Sequence, residues 1–158
     1  MRGRREPPVR AITEGRLIAP DPKLDRLHQR AFAAAPDGRR PMGVHVIPNA
    51  HVRRTGRLVV ARVRRRPVGY ALSHPPAGED PDHPRWYLEA IAVDPDHQRQ
   101  GVGTSLLMAI AAVSLSAGAR TLDAAPLVGE GEEERQAWLL AMGFVPLERR
   151  TFRFHLTR

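Results

Sequence analysis

Apolar and polar positions along this chain follow two periods, and the switches between them mark its elements. Short β-prone runs fall at residues 9–14, 58–63, 68–72 and 86–93, and again at 121–125, 144–147 and 151–156. Helical spacing appears first after Asp21-Pro22, an N-cap followed by a first-turn proline, with Leu24, Leu27, Ala31 and Ala34 on one face. That helix should end near residue 35, before the turn cluster Pro36-Asp37-Gly38. A strongly apolar helix is expected over 101–117, stopped by Gly118, and a third over 132–142, stopped by Gly143. Arg64-Arg65-Arg66-Pro67 joins two β-runs as a hairpin, 75–84 is a proline-rich loop, and 43–56 fits either a short helix or an irregular crossing. Residues 1–8, rich in Arg, Gly and Pro, predict a loose basic tail before one domain spanning 9–158. Strands, helix, strand, helix, strands without an internal repeat predict an α/β fold built on a mixed sheet.

Composition narrows the chemistry. A chain of 158 residues can bury a real core as one domain. Its longest apolar stretch, 106–113, is too short to span a bilayer, and its first residues hold no apolar signal core. A cytoplasmic protein with no membrane partner is therefore expected. The absence of cysteine excludes an acyl-cysteine intermediate, a thiolate metal site and a disulfide within the chain. The seven histidines are scattered; even the closest pair, His45 and His51, lacks a metal-binding helical spacing, so no metal is expected. The net charge of +8 is uneven: residues 1–79 carry 17 Lys and Arg against 6 Asp and Glu. Such asymmetry can mark a surface for anions. Here Lys23 is the only lysine amid abundant Arg, Ala, Pro and Gly, which reads as compositional bias. No helix-turn-helix, zinc or RNP-type motif supports nucleic-acid binding.

The informative segment is the strand ending at Val93, the turn 94–100, and Gly101-Val102-Gly103-Thr104 opening a helix. A helix start offers unpaired N–H groups and the positive end of the macrodipole. Glycines at 101 and 103 let the backbone approach a phosphate with no Cβ in the way. An anion site for a phosphorylated ligand follows. It is not a Walker A loop, since no Gly-Lys-Ser/Thr is present. It is not the dinucleotide fingerprint either, since Leu106 stands at the third glycine.

Gln98 to Gly103, QRQGVG, resembles the Gln/Arg-x-x-Gly-x-Gly/Ala signature of the GNAT superfamily of acyl-CoA-dependent N-acetyltransferases. The apolar lead-in Ile91-Ala92-Val93 with Asp94-Pro95, the long helix that follows, and Gly143-Phe144 extend the resemblance over residues 86–144. It implies a single-domain, mostly antiparallel mixed sheet flanked by helices, with central strands splayed around an acyl-CoA. The backbone of Gln98, Arg99, Gln100, Gly101, Val102, Gly103 and Thr104 would hold the coenzyme A pyrophosphate. The strand edge at Ile91, Ala92 and Val93 would hydrogen-bond the pantetheine arm and stabilise the oxyanion. The implied reaction is transfer of an acetyl group from acetyl-CoA, or another acyl-CoA, to an amine of a small molecule, peptide or protein. The amine attacks directly, through a tetrahedral intermediate. Many members dimerise, so a homodimer is the assembly the resemblance implies.

Such a reaction needs a base or water path for the amine's proton and an acid for the departing thiolate. Glu89, the one carboxylate inside the strand, is a candidate base; alternation places it on one face with Tyr87 and Ile91 unless a bulge intervenes. A salt bridge to Arg85 is the structural alternative. The family's tyrosine acid, four residues before the glycine of Gly143-Phe144, is Leu139 here, and its frequent asparagine is Glu132. Tyr87, Tyr70 or Ser73 could serve instead, the first being the choice adopted here, or the thiolate leaves unassisted. If no acid serves, the chain is a non-catalytic acyl-CoA-binding module. Trp86 and Trp138 read as core, and Arg64 to Arg66 as a solvated turn or as a flank for an anionic acceptor or the adenosine 3′-phosphate.

Overall fold

Strands β2 (Arg57–Val63) and β3 (Arg66–His74) are apolar along most of their length because helices cover both of their faces. Along β2, Leu58 and Val60 meet Leu27 of helix α1 (Pro22–Ala31), while Val59 and Ala61 meet the core around Leu106, Leu107 and Ile110 of helix α2 (Val102–Ser116). The computed structural model describes residues 11–15, 22–31, 54–76, 83–125 and 131–157. The tail expected at 1–8, the end of α1 near 35 and most of segment 43–56 lie outside them.

The other elements are β1 (Ala11–Gly15), β4 (Arg85–Val93), a 3₁₀ turn (Pro95–His97), β5 (Thr121–Ala124), α3 (Glu132–Ala141), β6 (Val145–Pro146) and β7 (Phe152–His155). They form one seven-stranded sheet in the order β1-β2-β3-β4-β5-β7-β6, antiparallel except between β4 and β5. This is the mixed, mostly antiparallel α/β fold expected from the sequence. The β2–β3 connection is tighter than the four residues anticipated. Only Arg64 and Arg65 turn, with φ of 48° and 67°, and Pro67 is taken into β3 opposite Arg62, beside a bulge. Both positive φ values fit the two-residue hairpin turn whose twist matches its strands.

Two irregularities shape the centre of the sheet. The β4–β5 pairing covers only Arg85–Tyr87 against Thr121–Asp123, so β4 runs on to Val93 without a parallel partner in β5. The β3–β4 register also slips between Leu72 and Ser73. Leu72 faces Ala90 and Ser73 faces Leu88, which leaves Glu89 as the extra residue of a bulge. Trp86 and Leu88, before the bulge, belong to the α2 core, and so do Ile91 and Val93 after it, while Ala90 and Ala92 turn toward α1. The single face expected for Tyr87, Glu89 and Ile91 is therefore broken: the extra residue inverts the alternation, and Ile91 lies on the opposite side.

Candidate active site

The turn after β4 is held from within and from α1. The buried Asp94 carboxylate accepts from the Asp96 N–H at 3.1 Å and receives both Arg30 guanidinium nitrogens, at 3.0 and 3.2 Å. Arg30 also reaches Asp96 at 3.1 Å, and the Asp94 N–H donates to the Val68 carbonyl at 2.8 Å. The Gln98 amide folds back onto the Val93 carbonyl at 3.0 Å, and the Gln100 amide onto the Asp96 carbonyl at 3.2 Å. Arg99 and Gly101 have φ of 57° and 81°, so the chain coils tightly into α2. Gly101 caps that helix without a side-chain hydrogen bond, as a residue with no side chain must.

A Cβ on Gly103 would lie 3.5 Å from the Trp138 ring and 3.8 Å from Val93. The end of β4, the start of α2 and helix α3 thus converge at that glycine. Thr104 spends its hydroxyl on the Met142 sulfur at 3.5 Å. Val93 and the run Gln98 to Thr104 come together at the open end of β4, with Ile91 and Ala92 on the stretch that pairs with β3 but not with β5.

A polar row occupies the α1 face where β4 and β5 part. Nδ1 of His74 lies 2.7 Å from the Pro75 carbonyl, which only accepts, so this nitrogen donates. Nε2 lies 3.1 Å from the Glu89 carboxylate. With Nδ1 protonated, that second contact needs one shared proton, either imidazolium with carboxylate or imidazole with carboxylic acid. The Tyr87 ring packs on His74 with centroids 5.7 Å apart, beneath the Arg85 guanidinium. The carboxylate thus meets His74, not the Arg85 partner weighed from sequence.

The other proton donors considered are engaged. The Tyr70 hydroxyl bonds His28 Nδ1, and burial, then Asp25 and Glu89, push its pKa far up. Ser73 and Ser114 share a 2.7 Å hydrogen bond inside the α2 core. Leu139 is buried in that same core, and Glu132 is held by Arg150 at 2.9 Å and Gln136 at 3.0 Å. Among the described residues, no group of three His, Asp or Glu side chains is placed to hold a metal. No helix there is long and apolar enough to cross a membrane.

Sequence reading missed His74. Period-two alternation from Tyr70 and Leu72 already puts it on their face, but its meeting with Glu89 depends on the bulge. It missed Arg30 as well, whose partners lie more than sixty residues away.

A sheet that opens beside a glycine-started helix is the αβ scaffold that these elements build. The model of the Acetyltransferase (GNAT) family matches residues 22–144, and the chain belongs to that family. Among solved structures, the fold is similar to a GNAT-family structure from Desulfovibrio desulfuricans (17% identity, TM-score 0.68, 93% of this chain and 100% of that one). It is also similar to the ribosomal-protein-S18-alanine N-acetyltransferase of Escherichia coli (20%, 0.64, 94% and 96%). A third is a GNAT family acetyltransferase from Elizabethkingia anophelis with acetyl-CoA bound (15%, 0.62, 92% and 97%). No curated protein matches the sequence.

Proposed function

We propose that the chain binds acetyl-CoA, or another acyl-CoA, and transfers its acyl group to an amine by direct attack. The observation that carries this reading is the loss of β4's parallel partner beyond Tyr87, in line with the side-chain-uncapped start of α2. The residues fit the ligand. The first-turn amides of α2 and the coiled backbone of Gln98–Gly101 suit a pyrophosphate. The free edge of β4 suits an extended amide-bearing arm. Acetyl-CoA supplies a thioester, an acyl group already activated toward amines. The acetyl-CoA bound to the Elizabethkingia protein is consistent with this assignment.

Glu89 is the base we assign. Its bulge turns the carboxylate to the α1 face beside the gap, and His74 holds it there. Tyr87 is the donor for the departing thiolate. It lies on the last rung of β4–β5 pairing, half-buried, while Tyr70 and Ser73 are engaged elsewhere. Leu139 within the core favours a second reading, a module that binds acyl-CoA without transferring it. Release of free thiol from acetyl-CoA against a panel of amines separates the two. Amine-dependent release supports transfer, whereas tight binding with no release by any amine supports the module.

A further inference from the structure

The end of the sheet opposite the glycine turn carries a second feature. A shallow depression open to solvent, with about 320 Å³ of space, is lined by His83, Pro84, Arg85, Arg120, Thr121 and Arg153. Register fixes its face. Arg85 pairs Thr121, and Tyr87 pairs Asp123, which pairs Arg153. Paired residues, and residues two apart on a strand, share a side, so Arg85, Thr121 and Arg153 lie on the side of Tyr87. That side also holds His74 and Glu89.

The charges in this depression are unequal in their partners. Arg153 grips the buried Asp123 carboxylate through two bonds of 2.7 and 2.8 Å, which raises its pKa further and keeps it charged. Arg120 donates to the Ala119 carbonyl at 3.0 Å, and Arg85 stands 5.9 Å over the Tyr87 ring. Among the described residues neither Arg85 nor Arg120 meets a carboxylate. Nor can they serve a pyrophosphate at the turn: Arg85 to Gly101 is sixteen residues, and the strand alone advances ~3.3 Å per residue away from them. From Arg85 to Glu89 the same rise gives ~13 Å at most.

We propose that this depression binds an anionic group, a carboxylate or a phosphate, at the far end of the acceptor amine. The inference rests on the acyl-transfer reading above and names its substrate class. The amine lies beside Glu89 at the mouth of the gap, and the anion is held by Arg85 and Arg120 beyond Tyr87. Guanidinium forks are matched to both anions, and a charge-assisted pair there selects among amines that the reacting end cannot distinguish.

The test uses four matched acceptors: pentylamine, 5-aminopentanamide, 5-aminopentanoate and 5-aminopentyl phosphate. Thiol release is measured with wild type, Arg85→Gln and Arg120→Gln, and the melting shift with acetyl-CoA is recorded for each. The anionic acceptors should exceed the two neutral ones by about 10- to 100-fold in kcat/KM, and each substitution should erase most of that margin. Rates with the neutral amines should stay unchanged in Arg120→Gln, and the acetyl-CoA shift should stay unchanged in both variants. Comparison of the last two acceptors decides between carboxylate and phosphate. Equal kcat/KM for charged and neutral amines, or a preference that survives both substitutions, overturns the proposal. If acetyl-CoA binds but no amine is acylated, the transfer reading has failed, and calorimetric titration with glutarate and with phosphate decides the depression. Binding lost in the double variant sustains an anion site, and no binding by wild type overturns it.

Discussion

Glu89 is the residue to which we assign the base, and its position is a consequence of one extra residue in a strand. Without the bulge, Glu89 would stand in regular alternation with Ile91; with it, the carboxylate meets His74 while Ile91 turns to the α2 core. Glu89→Gln should lower kcat by ~10²–10⁴-fold and leave acetyl-CoA affinity intact, as single-turnover and binding measurements would show. Tyr87→Phe should cut kcat with acetyl-CoA as donor, and a rate equal to wild type at every pH would remove Tyr87 from the mechanism. Tyr70 makes a different prediction. Its folded pKa is raised by burial, so its contribution to stability is complete below the unfolded value near 10 and declines as pH rises past it. Tyr70→Phe should flatten that alkaline loss in urea titrations at pH 9 to 11. Glu89 and Tyr87 were legible in the sequence as ionisable groups in an apolar strand. His74 was not, because a histidine at the end of a strand acquires meaning only when a residue fifteen positions later bulges toward it.

At the scale of elements, local chemistry and long-range packing were not equally visible. Gly118 and Gly143, both with positive φ, end helices where the sequence placed the stops, and Asp94-Pro95 opens the expected turn. The short β4–β5 pairing and the Asp123–Arg153 bond follow from strand order, which no local pattern encodes. The β2–β3 turn holds two arginines in the left-handed region, where L side chains are strained. Replacing Arg64-Arg65 by Asn-Gly should stabilise the fold by about 1 kcal/mol in chemical denaturation. Gly69 marks where α2 approaches β3: a Cβ there would stand 2.9 Å from Leu106 and 3.0 Å from the Ala92 carbonyl. Gly69→Ala should cost ~1–3 kcal/mol, and an unchanged urea midpoint would show that the contact relaxes freely.

For the molecule as a whole, α1 and the glycine turn are one unit: Arg30 ties the helix to the two carboxylates that shape the turn. The family and the mixed, mostly antiparallel sheet were foreshadowed by QRQGVG and its flanking strand and helix. The face around Tyr87 was not, because it is assembled from β3, β4, β5 and β7 together. The central claim, that the turn at 98–104 receives an acyl-CoA, is tested most directly by the melting temperature with acetyl-CoA for wild type and Gly103→Glu. At a hundredfold excess over Kd, binding adds about 2.7 kcal/mol, or roughly 5–10 °C for a domain of this size. The account predicts that shift for wild type and none for Gly103→Glu, whose carboxylate would crowd Trp138 and repel the pyrophosphate. No shift in wild type at millimolar acetyl-CoA, or an equal shift in both proteins, would contradict it.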